Sequence, residues 1–250
     1  MILWLNGKMQ SDDVARIAPN DRGFLLGDGL FETFLVRAGD IIQLQDHLER
    51  LRDGMAILGI ETPYDDLQLT AAMDQVLAEN DLSDASMRLT VTRGVGPRGL
   101  MPADDLKPTV MITVAPYIAA VLAPARLMVS RFRRNEHSPL CHVKALNYLD
   151  NIMALREARA AGFDDAIMLN SKGNICCATA ANIFMRLGDK LITPALSEGA
   201  LSGITRKSVM AKAASKGLFA EEDIVTLEDL KGADEIFITN SLIGKYIIQI

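Results

Sequence analysis

Cysteine, histidine and basic charge are all scarce in this 250-residue sequence, and each shortage excludes something. The three cysteines, Cys141, Cys176 and Cys177, are an odd number with two adjacent, a poor basis for a structural disulfide. His47, His137 and His142 form no cluster, and neither CxxC nor HxxxH spacing occurs, so no metal site is expected. Lys and Arg total 26 against 32 Asp and Glu, a formal charge of −6. An acidic chain without a basic block is not built for nucleic acid. Long apolar runs are also missing: Tyr117 to Val129 is too short to span a bilayer and is broken by Pro124 and Arg126. The opening MILWLNGKMQ lacks a basic start, a sustained apolar core and a small-residue cleavage site, so no secretory signal is read. A globular, soluble, cytoplasmic protein with no membrane partner is the expectation.

What is present is material for a core. Hydrophobic residues make up 49% of the chain, enough for one large domain or two small ones, with two favoured by typical domain sizes. Ile2 to Met9 reads as two short strands about an Asn6-Gly7 turn. Asp21-Arg22-Gly23 opens a loop holding Gly23, Gly27 and Gly29, and residues 30–44 read as a hairpin about Arg37 to Asp40. Asp46 with Glu49 resembles a capping box ahead of Leu48, Leu51, Met55 and Leu58 at helical spacing, with Gly59 as the stop. A second helix is expected from Asp65 to Glu79, followed by strands at Ser86 to Thr92 and Thr109 to Val114.

Periodicity fades over Pro116 to Pro124. This divides the chain into residues 1–116, a linker at 117–123, and residues 124–250. The second half reads as a strand at Arg126 to Ser130, a polar loop from Arg131 to His142, and a helix at Leu149 to Ala161 on Leu149, Ile152, Met153 and Leu155. Hairpins follow at 166–178 and 183–192, then a helix from Ile204 to Ser215, a strand from Glu235 to Thr239 and a last strand from Lys245 to Ile250. Interspersed helices and hairpins make the class α+β rather than a doubly wound parallel sheet.

Two features carry chemistry. Lys144 lies among apolar residues in Cys141-His142-Val143-Lys144-Ala145-Leu146, directly ahead of a helix. Desolvation lowers an amine's pKa and makes it nucleophilic, as a Schiff-base lysine requires. A solvated surface lysine is the plain alternative. Leu201-Ser202-Gly203-Ile204-Thr205-Arg206 stands at a helix start, where amides, dipole, a close-approach glycine and a hydroxyl make a phosphate seat. The alternative is a serine-capped helix with nothing bound. Asn240-Ser241-Leu242 offers a second such turn, and Arg50 lies off the Leu48/Leu51/Met55 stripe, reaching either a ligand or water.

Together these landmarks resemble the fold-type IV, or class IV, pyridoxal-phosphate enzymes: branched-chain and D-amino acid aminotransferases and 4-amino-4-deoxychorismate lyases. In order they are Asp21-Arg22-Gly23-Phe24 with Gly27-Asp28-Gly29-Leu30-Phe31-Glu32-Thr33, then His47-Leu48-Glu49-Arg50-Leu51, then Lys144-Ala145-Leu146-Asn147-Tyr148-Leu149. Gly173-Asn174-Ile175 with Ala181-Asn182-Ile183-Phe184, Ile192-Thr193-Pro194, the Leu201 to Arg206 stretch and Asn240 to Gly244 complete the set.

The resemblance implies two α/β domains with pyridoxal 5'-phosphate between them, in a homodimer whose partner contributes to the site. Lys144 would hold the cofactor covalently and shuttle the proton. Arg50, the Ile204 and Thr205 amides, the Thr205 hydroxyl and Ser241 would seat the phosphate beside Gly203. Leu201 would pack on the pyridine ring, with Asn147 or Tyr148 at its edge. Phe31, Thr33 and Arg98 would face the substrate, although Thr33 is also an ordinary strand former and Arg98 an ordinary loop arginine.

One position departs from the family. Cys177 stands where a glutamate usually pairs with the pyridine nitrogen, and a neutral thiol would leave that nitrogen largely unprotonated. That impairs a full transamination more than an elimination. Alternatives are a packed hydrophobe in a shifted register, or a cofactor-binding protein with little turnover. The stretch at Phe24 to Thr33, the Gly96 to Leu100 loop and Asn240 to Gly244 look most like the aminodeoxychorismate lyases. The Arg-x-His triplet of D-amino acid aminotransferases is absent at Arg98-Gly99-Leu100. The resemblance therefore implies a lyase releasing 4-aminobenzoate and pyruvate for folate synthesis, with a class IV aminotransferase as the alternative. Relatives usually continue beyond the Asn240 turn into a further strand and helix, so the last strand is expected either to need the dimer partner as cover or to leave the second domain less complete.

Overall fold

The computed structural model describes residues 1–118 and 124–249. It divides into two compact units. The first is Met1–Ile118 together with Val143–Asn147, and the second takes 124–142 and 148–249 of the described residues.

The first unit is an antiparallel sheet covered on one face by helices. Its elements are β1 (Ile2–Leu5), β2 (Lys8–Ser11), α1 (Arg22–Leu26), β3 (Gly29–Arg37), β4 (Asp40–Ile41), α2 (Leu44–Leu58), α3 (Asp66–Glu79), β5 (Ala85–Thr92) and β6 (Thr109–Pro116). Strand order is β2-β1-β6-β5-β3-β4. Alternation sorts the side chains of β3: Leu30, Phe34 and Val36 enter a core shared with Leu48, Leu51 and Met55 of α2 and Met73 and Val76 of α3. Phe31 and Thr33 therefore take the opposite face, beside Thr90 and Arg88 of β5, their cross-strand partners.

The second unit is built on a mixed sheet of order β12-β11-β10-β13-β14-β7-β8-β9. In chain order its elements are β7 (Ala125–Arg134), α4 (Leu149–Ala160), β8 (Asp165–Asn170), β9 (Ile175–Ala178), β10 (Asn182–Leu187) and β11 (Lys190–Pro194). Then come α5 (Ile204–Ala213), β12 (Phe219–Asp223), α6 (Leu227–Lys231), β13 (Glu235–Asn240) and β14 (Gly244–Gln249). Phe184 and Phe237 stack in parallel under α5, ring centroids 5.1 Å apart. No helix among the described residues is long and apolar enough to cross a membrane.

Several expectations change in the structure. The glycine loop after Asp21 contains the short helix α1, because the Asp21 carboxylate accepts from the amides of Gly23 and Phe24 and Gly27 closes it in the left-handed region. Helix α2 begins ahead of the Asp46/Glu49 pair, at Leu44, with Gln43 as a left-handed cap that makes no side-chain bond. The box predicted from sequence thus lies inside the helix. The real capping box is Asp65 with Gln68, at the start of α3. Strand β7 runs on to Arg134, into the first residues of the predicted polar loop.

The inward side of α4 is Ala154 and Ala158, whose small side chains let it pack closely, while Leu149, Ile152 and Met153 are exposed. The last strand pairs with β13 on one side and in parallel with β7 on the other, so this unit's own strands flank it. Ile250 lies outside the described residues, as do residues 119–123 of the expected linker. Residues 143–147, expected with the second half, pack with the first unit. Phe31 N–H donates to the Lys144 carbonyl at 2.9 Å and Leu146 N–H to the Gly29 carbonyl at 3.0 Å, while Val143 and Ala145 enter the first core.

Candidate active site

In the first unit those two backbone bonds fix Lys144 beside the start of β3. Its Nζ stands 4.5 Å from the Phe31 ring centroid, and the Arg88 guanidinium stands 3.6 Å from the same centroid. Phe31 is buried, and Arg88 Nε donates to Thr90 Oγ1 at 3.1 Å. Two cations on one aromatic ring, beside Thr33, give this sheet face an amine and a guanidinium suited to a carboxylated substrate. Arg88 was missed in the sequence. Its signal was a lone arginine opposite Thr33 in a strand otherwise apolar or hydroxylic, a pattern visible only once register is known.

Arg50 comes from α2 and is held by Glu32 of β3. Arg50 Nε donates to Glu32 Oε1 at 2.8 Å and Arg50 Nη2 to Oε2 at 2.7 Å, while His47 Nδ1 lies 2.7 Å from Oε2. Burial alone would raise the Glu32 carboxyl, but hydrogen bonds from His47 and Arg50 outweigh it and hold the group below the usual carboxylate range. Glu32 and His47 were quoted in the motif without a role.

Asn147 Nδ2 donates to the Leu26 carbonyl at 3.4 Å, and the same amide lies where a Cβ on Gly27 would fall, 2.7 Å from it. Arg98 is exposed on its loop. That loop is anchored by Arg22, which donates to the carbonyls of Gly99 and Leu100 at 2.9 and 2.7 Å.

The second unit gathers another set around the start of α5. Gly203 stands at the N-cap position of α5 and has no side chain of its own to cap the helix. Asn182 Nδ2 donates to the Leu201 carbonyl at 2.8 Å. A Cβ at Gly203 would sit 2.0 Å from Asn182 Oδ1, so a larger residue would displace either the Asn182 side chain or this backbone. Thr239 pairs with Asn182 across the ladder and shares its face, and its Oγ1 is buried with no hydrogen-bond partner among the described residues. Ile204 is buried, and Leu201 and Thr205 are half-buried. Ser241 follows Thr239 by two residues. The Asn240 side chain accepts from the amides of Leu242 and Ile243, which removes those two donors from the second predicted anion turn.

Cys177 belongs to a different group in that unit. It is buried on β9 with Ala154, Ala158, Ala166 and Met168. Burial pushes its thiol up, only partly opposed by the neighbouring Arg134 guanidinium, so it stays neutral at physiological pH. Arg134 itself donates from Nε to the Gly199 carbonyl at 3.0 Å. Tyr148 is the half-buried residue before α4. The candidates therefore fall into three clusters: Lys144 with Phe31, Thr33 and Arg88, plus the Glu32–Arg50 pair, in the first unit; Leu201 to Thr205 near Asn182 and Thr239 in the second; and Cys177 with Arg134, also in the second.

Known proteins give the same architecture. A putative branched-chain-amino-acid aminotransferase of Methanocaldococcus jannaschii is 36% identical over 96% of this chain and 84% of its own. An aminodeoxychorismate lyase of Bacillus subtilis is 31% identical over 97% of this chain and 84% of its own. The crystal structure of the Escherichia coli branched-chain amino acid aminotransferase superposes with a TM-score of 0.94 at 25% identity, covering 99% of this chain and 85% of that one. The family model described as amino-transferase class IV matches residues 29–249. The chain belongs to that class IV family of pyridoxal-phosphate-dependent enzymes.

Proposed function

We propose that this enzyme is a pyridoxal-phosphate-dependent lyase that converts 4-amino-4-deoxychorismate to 4-aminobenzoate and pyruvate, a step of folate synthesis. The residues present fit the cofactor: a lysine amine backed by an aromatic ring, a Gly203 turn that a Cβ would close, and the orphaned Thr239 hydroxyl beside it. When bound, pyridoxal phosphate supplies a conjugated ring that withdraws electrons from the carbon next to the substrate nitrogen.

Lys144 holds the cofactor and moves the proton at Nζ. It takes the proton from the substrate ring carbon and returns it as enolpyruvate leaves, so substrate and the two products balance without water. Arg50, the Ile204 and Thr205 amides, the Thr205 hydroxyl and Ser241 seat the phosphate. Leu201 packs on the pyridine ring, with Asn147 or Tyr148 at its edge. Arg88, Phe31 and Thr33 line the substrate side, and Arg98 meets a substrate carboxylate.

The observation that carries the lyase reading is the buried, neutral Cys177 thiol beside Arg134, in the position proposed to face the pyridine nitrogen. A neutral thiol beside a cation does not stabilise a protonated ring. Elimination tolerates this better than amino transfer, because the leaving group takes up the electron pair. The similarity to a protein named as a branched-chain aminotransferase favours amino transfer as the second reading. A homodimer and a cytoplasmic location complete the proposal.

The test is incubation with aminodeoxychorismate and no keto acid. Release of 4-aminobenzoate and pyruvate, lost by at least about a hundredfold in Lys144→Ala, is expected. Amino transfer to 2-oxoglutarate without 4-aminobenzoate establishes the aminotransferase instead. Yellow protein, bleached by borohydride and inactive in both assays, leaves only cofactor binding.

A further inference from the structure

Beneath Arg50 lies a buried polar network inside an otherwise apolar core. The Glu32 side chain is 1% exposed and His47 1%, whereas Arg50 is 12% exposed. Leu30, Phe34, Leu48 and Leu51 surround it, and the Phe34 ring lies 4.7 Å from the imidazole at an interplanar angle of 47°. Apolar residues of similar volume usually stabilise a core as well as or better than a buried ion pair does, so stability alone gives little reason for this arrangement. Geometry gives a better one.

We propose that Glu32, steadied by His47, is the positioning residue that fixes the Arg50 guanidinium for the cofactor phosphate. An arginine has four side-chain torsions and samples many orientations. Two parallel bonds to one carboxylate fix both the plane and the direction of the fork. They take up the Nε–Nη2 edge and turn the edge carrying Nη1 away from Glu32. His47 Nδ1 on Oε2 keeps the carboxylate from rotating about its own axis. The network thus runs from the core outward, from the ring through the carboxylate to a guanidinium at the margin of burial. The inference rests on the reading of Arg50 as a phosphate ligand.

The full-length protein, freed of cofactor, is titrated with pyridoxal phosphate and separately with phosphate-free pyridoxal, following visible absorbance. The proteins compared are wild type, Arg50→Lys, Glu32→Gln, Glu32→Asp and the Arg50→Lys/Glu32→Gln double variant. Glu32→Gln is expected to weaken pyridoxal phosphate about tenfold, the effect of misplacing one charge-assisted contact, and to change pyridoxal by less than about twofold. Glu32→Asp keeps the charge but retracts it, and is expected to lose a smaller factor. If Glu32→Gln does not fold, as the melting temperature of the cofactor-free protein reports, Glu32→Asp carries the comparison. In the Arg50→Lys background, Glu32→Gln adds no further loss, because the group it positions is gone.

Equal weakening of both ligands, or additive losses in the double variant, overturns the proposal and makes Glu32 merely structural. An Arg50→Lys protein with unchanged pyridoxal phosphate affinity instead overturns the phosphate reading. A loss in Arg50→Lys without one in Glu32→Gln or Glu32→Asp defeats only the positioning role.

Discussion

A single thiol separates the two chemistries considered for this enzyme. Cys177 is 7% exposed, and its burial keeps the sulfur protonated although Arg134 lies beside it. Replacing it by glutamate puts a carboxylate between that cation and the proposed position of the pyridine nitrogen. In Cys177→Glu the visible band of the bound cofactor is expected to titrate at a higher pH, since a neighbouring anion favours the protonated ring. The ratio of amino transfer to 4-aminobenzoate release should rise in the same variant. Spectra and product ratio identical to wild type would mean that Cys177 does not face the cofactor and serves only as a small packed residue. Whatever the outcome, the cofactor-free protein should melt lower, because a carboxylate is harder to bury than a thiol.

At the scale of elements, the sequence was most legible where local chemistry and periodicity agreed. The Asn6-Gly7 turn, the Gly59 stop after Leu58 and the helix expected from Asp65 to Glu79 all stand where short-range rules put them. It was less legible where tertiary packing decided. The helix was recognised by Leu149, Ile152, Met153 and Leu155, yet the alanines face inward because close approach to β7 and β8 demands small side chains. Strand β12 and helix α6 were not read at all. Phe-Ala-Glu-Glu-Asp has no apolar alternation, and its place comes from parallel pairing with β11.

The candidate site divides in the same way. Lys144 and the Gly203 turn carry local signals. Arg88 and Thr239 acquire meaning only through cross-strand neighbours, and Glu32 only through His47 and Arg50 on α2. The start of α5 makes this testable. In Gly203→Ala the new Cβ meets Asn182 Oδ1, so the Asn182 bond to the Leu201 carbonyl must break or the helix must shift. A loss of about 1–3 kcal/mol in denaturant unfolding is expected, together with weaker pyridoxal phosphate binding. A variant as stable and as tight as wild type would show that the turn has slack and is not shaped for a phosphate.

At the scale of the whole molecule, the remaining question is what covers its outward apolar residues. Leu149 on α4 is 73% exposed and Phe24 on α1 is 74% exposed, each with apolar neighbours: Ile152 and Met153 in one case, Leu25 and Leu26 in the other. Scattered exposed leucines are ordinary, but a stripe along one helix face, as on α4, is characteristic of an interface. The proposed homodimer supplies such a cover, since a second copy brings the same surface and a twofold contact is self-complementary. A charge placed in the α4 stripe tests this without touching the core, because Ile152 is exposed and the inner face of the helix is Ala154 and Ala158. Ile152→Glu is therefore expected to leave the circular dichroism spectrum and the core packed against Ala154 and Ala158 unchanged while shifting sedimentation from dimer towards monomer. Activity should fall with the dimer fraction if the partner contributes to the site, and recover as protein concentration rises. Wild-type protein that sediments as a monomer at micromolar concentration would refute the homodimer outright. An Ile152→Glu protein that remains fully dimeric would move the interface away from α4.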